Sequence, residues 1–274
     1  MNSESRRQEQ RVGIAGLGTI GRALGKALND GIPGMRLAAV SARNLAGAER
    51  WVATQPRAVP IVPLHALAEH SDIVVECAPS ALLPEIALPV LRGGKQLVVL
   101  SVGALLQHPE LIELAKTHGG QILVPTGALI GLDALTAAAE GEIKSVTMVT
   151  RKPVEGLLGA PYLVEKNIDI AGITAPLLIF SGSAREAAIG FPANLNVAVA
   201  LSLAGIGPDR TTLEIWADPT IKRNTHTISV DSDSASFTMT MQNIPTENPK
   251  TGRITALSVV SLLRKMSAPL RVGT

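Results

Sequence analysis

The chain has 274 residues, of which 46 % are hydrophobic, 18 % charged and 2 % aromatic, and its formal net charge is +2 at pH 7. This composition is typical of a globular protein, and the small charge and scarce aromatic residues argue against a nucleic-acid surface. The single cysteine, Cys77, excludes an intramolecular disulfide. Since no apolar run approaches the roughly 20 residues of a membrane span, we expect a soluble, cytoplasmic protein with no membrane partner.

In the first half of the chain, short β-branched runs alternate with stretches of helical periodicity. The predicted strands are residues 12–15, 37–41, 73–77, 97–101 and 122–124. The predicted helices between them are residues 20–30, 45–54, 82–91 and 109–118. Continuously apolar strands separated by helices are typical of a parallel sheet that is covered on both faces. The pattern predicts a doubly wound α/β domain.

After a linking helix at 132–140, the predicted strands become longer and alternate more clearly. They are residues 146–151, 177–180, 212–216, 225–230 and 236–241, with a helix at 193–204 among them. Such alternation is typical of antiparallel strands with one covered face. We therefore predict a second, α+β domain with a mainly antiparallel sheet at 128–249. The first domain takes residues 1–127, and an apolar-periodic helix in 250–274 returns to it.

A glycine-rich motif follows the first predicted strand. The run Gly16-Leu17-Gly18-Thr19-Ile20-Gly21 fits G-x-G-x-x-G and opens the first predicted helix. In this context the glycines allow a tight turn, close approach of a pyrophosphate to the backbone, and close packing of helix on strand. The alternative is a glycine-rich turn without a ligand. We predict a Rossmann domain that binds a nicotinamide dinucleotide through Gly16, Gly18, Thr19, Ile20 and Gly21.

The end of the second predicted strand bears on the choice of cofactor. Sites specific for NAD usually carry an acidic residue there, bonded to the ribose 2′-hydroxyl. This chain has Ser41, Arg43 and Asn44 instead and no acid. These side chains favour NADP or dual use of NAD and NADP, and the alternative for Arg43 is a solvated loop charge.

Among five histidines, His226 stands apart because it opens a predicted strand of the second domain amid basic and amide residues. A histidine with a near-neutral pKa suits proton transfer beside a hydride acceptor, and the alternative is a structural strand histidine. Asn194 and Asn196 start the helix at 193–204, either as caps or as contacts to a nicotinamide carboxamide. No group of residues has metal-ligand spacing, and Cys77 in an apolar strand is expected to be a core residue.

Several longer segments carry a resemblance. They are residues 100–105, 126–135, 150–153, 192–198, the segment ending at His226, 248–252 and 268–274. In these segments the chain resembles the L-aspartate dehydrogenase family over almost its whole length after the first ten residues. One departure is Thr126-Gly127-Ala128, where many relatives have Ser-Gly-Ala, and it leaves a backbone contact at Ala128 unaffected.

The resemblance implies oxidation of L-aspartate to iminoaspartate with NAD+ or NADP+. The imine either hydrolyses to oxaloacetate and ammonia or enters pyridine nucleotide biosynthesis. The resemblance also implies that His226 is the active-site residue, that Ala128 and Asn194 contact the cofactor, and that the chain assembles as a homodimer or higher homo-oligomer.

The substrate's two carboxylates require cationic or amide donors. The basic residues that qualify by position in the sequence are Arg151, Lys152, Lys222 and Arg223, each of which is also compatible with a solvated surface charge. Two other functions remain open at this point. One is a related two-domain dehydrogenase, such as a homoserine dehydrogenase. The other is a non-catalytic NADP(H)-sensing protein.

Overall fold

The computed structural model describes residues 9–191, 195–244 and 253–273, and within them the chain forms two compact units. The first, called the N-terminal unit below, comprises the chain up to Pro125 together with Ala256–Arg271. The second, called the mixed-sheet unit, takes Thr126–Thr255 and the residues after Arg271. No helix in the described ranges is long and apolar enough to cross a membrane.

The N-terminal unit alternates strands and helices, as its sequence pattern predicts. Its strands are β1 (Gln10–Ala15), β2 (Met35–Ser41), β3 (Ile73–Glu76), β4 (Gln96–Val99) and β5 (Gln121–Leu123). Its helices include α1 (Thr19–Gly31), α2 (Leu45–Val52), α3 (Leu67–His70), α4 (Leu83–Arg92), α5 (Val102–Leu105) and α6 (Glu110–His118). The short helices α3 and α5 were not predicted, because four residues are too few to show a helical period.

The strands of this unit form one parallel sheet in the order β2-β1-β3-β4-β5. Beyond β2, Val40 bridges in parallel to Ile61, so the segment around Ile61 occupies the place of a further outer strand. The order of the strands along the chain therefore reverses between β1 and β3. Sheets of this class place their ligands outside the carboxyl ends of the strands at that point. The parallel doubly wound sheet predicted from the sequence is confirmed.

Burial explains why the central strands are mainly apolar. Every residue of β3 is buried, and so are the last four residues of β1. Helix α1 contributes Leu24 and Leu28 to the same core, on a face that repeats every three to four residues. A strand buried on both faces has no solvent side, so it shows no alternation in its sequence.

The mixed-sheet unit begins with α7 (Leu132–Ala138) and contains the longer strands. These are β6 (Ile143–Lys152), β7 (Leu177–Ser183), β8 (Thr211–Ala217), β9 (Thr225–Ser232) and β10 (Ser236–Gln242). Its other helices are α8 (Pro161–Glu165), α9 (Ala184–Gly190) and α10 (Asn196–Ala204). The sequence predicted one helix among these strands, at 193–204, so the short helices α8 and α9 are additions. Helix α11 (Arg253–Ser267) follows, and its Val259 and Leu263 are fully buried in the core of the N-terminal unit, to which both residues belong.

The second sheet has the order β10-β9-β6-β8-β7. All neighbouring strands are antiparallel except β6 and β8, which are parallel. The mainly antiparallel sheet predicted from the sequence is confirmed, and the one parallel pair is an addition. After β6 the chain forms β7 at the edge of the sheet. It then turns back antiparallel to β7 and forms β8 between β7 and β6, so β8 runs parallel to β6.

One face of this sheet is covered by an aliphatic core with a small aromatic cluster. Tyr162 of α8 packs against Phe180 and Phe191, with ring centroids 5.2–5.9 Å apart within the trio. Along β6, β8 and β9, alternate residues are buried on the same face. The face that buries the apolar residues is also the face that carries His226.

Candidate active site

The glycine loop joins β1 to α1 at the carboxyl edge of the parallel sheet. The backbone N–H of Gly16 donates to the carbonyl oxygen of Ser41, 2.8 Å away, which ties the loop to the end of β2. Gly16 has φ +107°, and a Cβ there would lie 2.6 Å from the carbonyl oxygen of Cys77. Only glycine meets both conditions, because other residues are strained at that φ and their Cβ would overlap the backbone.

The other two glycines of the motif differ in what surrounds them. A Cβ on Gly21 would lie 1.9 Å from the carbonyl oxygen of Gly16, so this glycine allows helix and loop to touch. A Cβ on Gly18 would meet no atom within 4 Å, so the space above Gly18 is open to a ligand. These are the two roles that a dinucleotide fingerprint assigns to its third and second glycine.

The start of α1 suits an anion. Gly18 is the N-cap, no side chain caps the helix, and its first turn carries no acidic residue. Gly18 and Thr19 are exposed and Ile20 is half-buried. The free N–H groups of a helix N-terminus and the helix dipole favour phosphate. The loop therefore fits the pyrophosphate of NAD or NADP, with Gly16, Gly18, Thr19, Ile20 and Gly21 as the residues that would hold it.

The residues predicted to select the cofactor lie at the end of β2 and just after it, and β2 pairs with β1 in parallel. Ser41 is buried, whereas Arg43 is exposed and available to a ligand. The Asn44 side chain accepts a hydrogen bond from the backbone N–H of Gly47, 2.9 Å away, and so caps α2. The structure thus gives Asn44 a structural role beside the predicted one.

Glu76, which the sequence analysis did not single out, lies fully buried at the end of β3. Its carboxylate accepts hydrogen bonds of 2.8–3.1 Å from the backbone N–H groups of Ala78, Leu100 and Ser101, and from the Ser101 hydroxyl. Burial raises the pKa of Glu76, and these bonds act against the rise. The side chain fixes the two chain segments that follow β3 and β4. A signal was present in the sequence, since an acid in an apolar strand needs a partner.

Cys77 is the residue after Glu76, just after the end of β3. Its thiol pKa is raised by burial, and the neighbouring Glu76 adds to the rise. A thiol of this kind is a poor nucleophile, because only the thiolate reacts.

In the mixed-sheet unit, His226 lies in β9 between Thr150 of β6 and Met241 of β10. Its side chain faces the covered side of the sheet, and the residue is only 4 % exposed. The ring Nδ1 is 3.2 Å from the Thr150 hydroxyl oxygen. This contact orients the imidazole ring through Nδ1, so Nε2 is the ring nitrogen that remains for contact with a ligand.

The electrostatics of His226 differ from the sequence-based expectation of a near-neutral pKa. Burial lowers the pKa of His226 to about 3, and the positive charge of Lys152 contributes to the decrease. The ring is therefore neutral at physiological pH. Its neutrality depends on burial and on a residue from another strand, and neither is visible in the local sequence.

The four basic residues considered for the substrate carboxylates differ in burial and in the face of the sheet on which they lie. Lys152 is buried at 5 % exposure on the same face as Thr150. Arg151 points to the opposite face, where its guanidinium lies 4.7 Å from the ring centroid of Trp216. Lys222 and Arg223 are exposed and line a cavity of about 610 Å³ beyond the ends of the strands.

The cofactor contact that the resemblance assigns to Ala128 lies in a turn before α7. The Ala128 carbonyl oxygen accepts a hydrogen bond of 3.1 Å from the Asn243 side-chain amide. Gly127 has φ +63°, in the left-handed region. Asn194, the other predicted contact, lies outside the described residues, as does the motif at 248–252. Within the described part of the chain, no group of three or more His, Cys, Asp or Glu side chains is placed to hold a metal ion.

These features define the class of protein. The glycine loop at the reversal point of a parallel sheet and a buried neutral histidine in a second unit characterise an NAD(P)-dependent oxidoreductase. Family models identify the class more closely. Residues 133–266 match the family described as aspartate dehydrogenase, C-terminal, and residues 16–125 match the homoserine dehydrogenase NAD binding domain.

Sequence relatives agree over the full length. The chain is 64 % identical to L-aspartate dehydrogenase 3 of Bordetella bronchiseptica over 271 residues, which cover 98 % of this chain and 100 % of that one. It is 56 % identical to the L-aspartate dehydrogenase of Bradyrhizobium diazoefficiens, covering 100 % and 98 % of the two chains. The chain belongs to the L-aspartate dehydrogenase family.

A solved structure is similar in fold. The aspartate dehydrogenase of Thermotoga maritima superimposes with a TM-score of 0.72 at 23 % identity, covering 96 % of this chain and 99 % of that one. An apo scyllo-inositol dehydrogenase from Lactobacillus casei is also similar, with a TM-score of 0.58 at 11 % identity, covering 95 % and 87 % of the two chains. At these identities the likeness concerns the fold alone.

Proposed function

We propose that this chain oxidises L-aspartate to iminoaspartate with NAD+ or NADP+, using His226 for proton transfer. The observation that carries the proposal is a buried, neutral histidine with a buried lysine on the same sheet face, in the unit that matches the aspartate dehydrogenase family. Buried titratable groups with shifted pKa values are common at functional sites, and His226 is such a group.

The chain's own residues account for the proton chemistry. When bound, the nicotinamide ring accepts the hydride that leaves Cα of the substrate. The amine must lose a proton before the C=N bond of the imine forms. In the tautomer whose Nδ1–H donates to Thr150, the lone pair of Nε2 takes that proton or activates water. Thr150 therefore orients the His226 ring, which receives the proton.

For the cofactor, we propose that the glycine loop binds the pyrophosphate and that Ala128 and Asn194 contact the bound dinucleotide. Ser41 ends the second strand and Arg43 and Asn44 follow it, in the region where the 2′ position of the adenosine ribose is recognised. The exposed guanidinium of Arg43 supports NADP use, because a fork of N–H donors suits a phosphate. Asn44 contributes only through atoms that its cap of α2 leaves free.

The cofactor proposal is tested with Arg43→Ala. Losing one charge-assisted contact is expected to weaken NADP+ binding by about ten- to a hundredfold and to change NAD+ binding little. Arg50→Ala is the matched control, because Arg50 is an exposed arginine in the last turn of α2. An equal effect on both dinucleotides would contradict the assignment of the 2′-phosphate to Arg43.

The product and the assembly complete the proposal. Iminoaspartate hydrolyses to oxaloacetate and ammonia or is used in pyridine nucleotide biosynthesis. We also expect a homodimer or higher homo-oligomer, in support of which Leu177 and Leu178 of the edge strand β7 and Ile189 of α9 are exposed. Light scattering coupled to size-exclusion chromatography measures the assembly directly.

The central experiment is steady-state kinetics. NAD(P)H formation is followed with L-aspartate, L-homoserine and L-glutamate, each with NAD+ and with NADP+. We expect L-aspartate to give the highest kcat/KM with at least one dinucleotide. The absence of an aspartate-dependent signal would overturn the proposal, and a preference for L-homoserine would favour the related dehydrogenase instead.

A further inference from the structure

The strand pairings place a row of polar residues next to His226. Thr150, His226 and Met241 lie directly opposite one another on β6, β9 and β10. Continuing the β6–β9 register places Lys152 opposite Asn224, whose carbonyl oxygen accepts a hydrogen bond of 2.8 Å from the backbone N–H of Asn243.

The row lies on the same face as His226. Side chains alternate between the two faces of a strand, so residues two positions apart share a face. Lys152 is two positions after Thr150, and Asn243 is two positions after Met241. Lys152, Asn224 and Asn243 therefore form the next row across the sheet, which we call the polar row.

Lys152 supplies a buried positive charge in the polar row. At 5 % exposure it is the most buried of the four candidate cations, and its field acts on His226. Arg151 lies on the opposite face and stacks on Trp216, and Lys222 and Arg223 are exposed. A buried ammonium group on the sheet face that carries His226 is suited to bind an anionic group of the substrate.

Asn243 gives a second, independent indication of a ligand. The residue is only 4 % exposed, and its Nδ2 is engaged by the Ala128 carbonyl oxygen. Its Oδ1 has no hydrogen-bond partner among the described residues. A buried amide oxygen without a donor is unfavourable, so its retention points to a donor that a ligand supplies.

The polar row also borders an open space. Asn224 and Asn243 both line the cavity of about 610 Å³, together with Asp218, Lys222 and Arg223. This volume is in the range of sites for small molecules. Lys152 and His226 are not in the lining of this cavity, and they lie next to Asn224 and Asn243 on the same face of the sheet.

We propose that Lys152 binds one of the two carboxylates of L-aspartate and is the residue that selects an acidic substrate. The inference rests on the proposed function, and it adds the residue that recognises the substrate. It has an electrostatic consequence for His226. A carboxylate placed on Lys152 offsets the field of the ammonium group, so the imidazole gains proton affinity when substrate is present. Within the described ranges, Lys152 is the charged side chain that lowers the pKa of His226 by its electric field. Arg151, the neighbouring cation, lies on the other face of the sheet over Trp216.

The first test compares Lys152→Met, Lys152→Arg and Lys144→Met. Methionine replaces the buried ammonium with an apolar chain of similar length, and Lys144 is an exposed lysine of the same strand that serves as the matched control. For Lys152→Met we expect the KM for L-aspartate to rise by about ten- to a hundredfold, as for one charge-assisted hydrogen bond, with the KM for the dinucleotide unchanged. Lys152→Arg should restore most of the affinity, and Lys144→Met should behave as the parent.

The outcomes separate the two proposals. If the parent chain does not oxidise L-aspartate, the proposed function fails. If the parent is active and folded Lys152→Met keeps the parent KM within about twofold, the inference fails and the function stands.

A second measurement needs no variant. The His226 ring is titrated by NMR in the parent chain with saturating NAD+, with and without succinate, a dicarboxylate that carries no amine to oxidise. We expect succinate to raise the pKa of His226. An unchanged pKa with bound succinate would overturn the proposal, because a carboxylate on Lys152 must reduce its field.

Discussion

The N-terminal unit and the mixed-sheet unit build their candidate sites from different groups. In the N-terminal unit the site consists of backbone, namely the N–H groups at the start of α1 and the space that Gly18 leaves open. In the mixed-sheet unit it consists of side chains, with His226 and Lys152 on neighbouring strands. A backbone site depends on local conformation and tolerates change around it, whereas a side-chain site depends on strand register and burial.

The difference matters for chemistry. A pyrophosphate carries its charge in every state of the reaction, so fixed N–H groups are sufficient for binding. Proton transfer requires a group whose protonation state changes, and such a group is tuned by its surroundings. Variants of the first site should therefore change cofactor affinity, and variants of the second should change turnover. Substitutions in the two units should therefore separate cofactor affinity from turnover.

His226→Asn should give the largest effect. Asparagine keeps a polar group of similar size and removes the proton acceptor, so kcat should fall by about 10²- to 10⁴-fold. The dissociation constant for the dinucleotide, measured by fluorescence titration, should stay within about twofold, because the glycine loop is untouched. His70→Asn, at an exposed position of the N-terminal unit, is the control. Turnover at the parent rate in His226→Asn would remove the histidine from the mechanism.

Glu76→Gln tests whether the backbone site depends on one buried side chain. A glutamine amide presents N–H donors where Glu76 now accepts from three backbone N–H groups and a hydroxyl. We expect a loss of about 2–3 kcal/mol in the free energy of unfolding, measured with urea. Glu85→Gln, an exposed acid in α4, should lose almost nothing. If both variants lose equally little, Glu76 does not fix the ends of β3 and β4.

Two glycine variants separate packing from binding within the loop. Gly21→Ala places a Cβ against the Gly16 carbonyl oxygen and should destabilise the fold by about 1–3 kcal/mol. Gly18→Ala meets no protein atom, so the stability should change by less than about 1 kcal/mol. Its dinucleotide affinity should still fall about tenfold, equivalent to about 1.4 kcal/mol. Unchanged affinity in Gly18→Ala would show that no ligand occupies the space above this glycine.

The pH dependence of stability concerns the mixed-sheet unit. The pKa of His226 is about 3 in the folded chain and close to 6.5 in the unfolded chain. Between these values the unfolded state binds the additional proton, so the free energy of unfolding falls as the pH decreases through this window. The slope from this group is up to about 1.4 kcal/mol per pH unit.

Urea unfolding at about pH 7.5 and about pH 5 measures this contribution, which is about 2 kcal/mol over that interval. His226→Asn should lose correspondingly less stability on acidification than the parent, because asparagine does not titrate. The difference between the two chains isolates His226 from other acids and bases. Equal losses in both chains would mean that His226 is not buried in its neutral form.

The sequence alone determined the parallel sheet, the glycine loop and the position of His226 in a strand. Each is a local property, since hydrophobic periodicity, glycine spacing and strand ends are read within about ten residues. For the same reason the short helices α3 and α5 and the parallel pairing of β6 with β8 were not predicted. The pairing depends on where β7 lies, which no local pattern records.

Only the tertiary structure decided which polar residues act together. Arg151 and Lys152 are neighbours in sequence and both basic, yet one stacks on Trp216 and the other is buried on the face of His226. The lowered pKa of His226 and the unpartnered Oδ1 of Asn243 likewise follow from strand register and burial. Electrostatic energies depend on distance and on exclusion of water, and both are set by residues far apart in the chain. The sequence therefore determined what kind of cofactor site to expect, and the folded sheet decided which lysine faces the histidine.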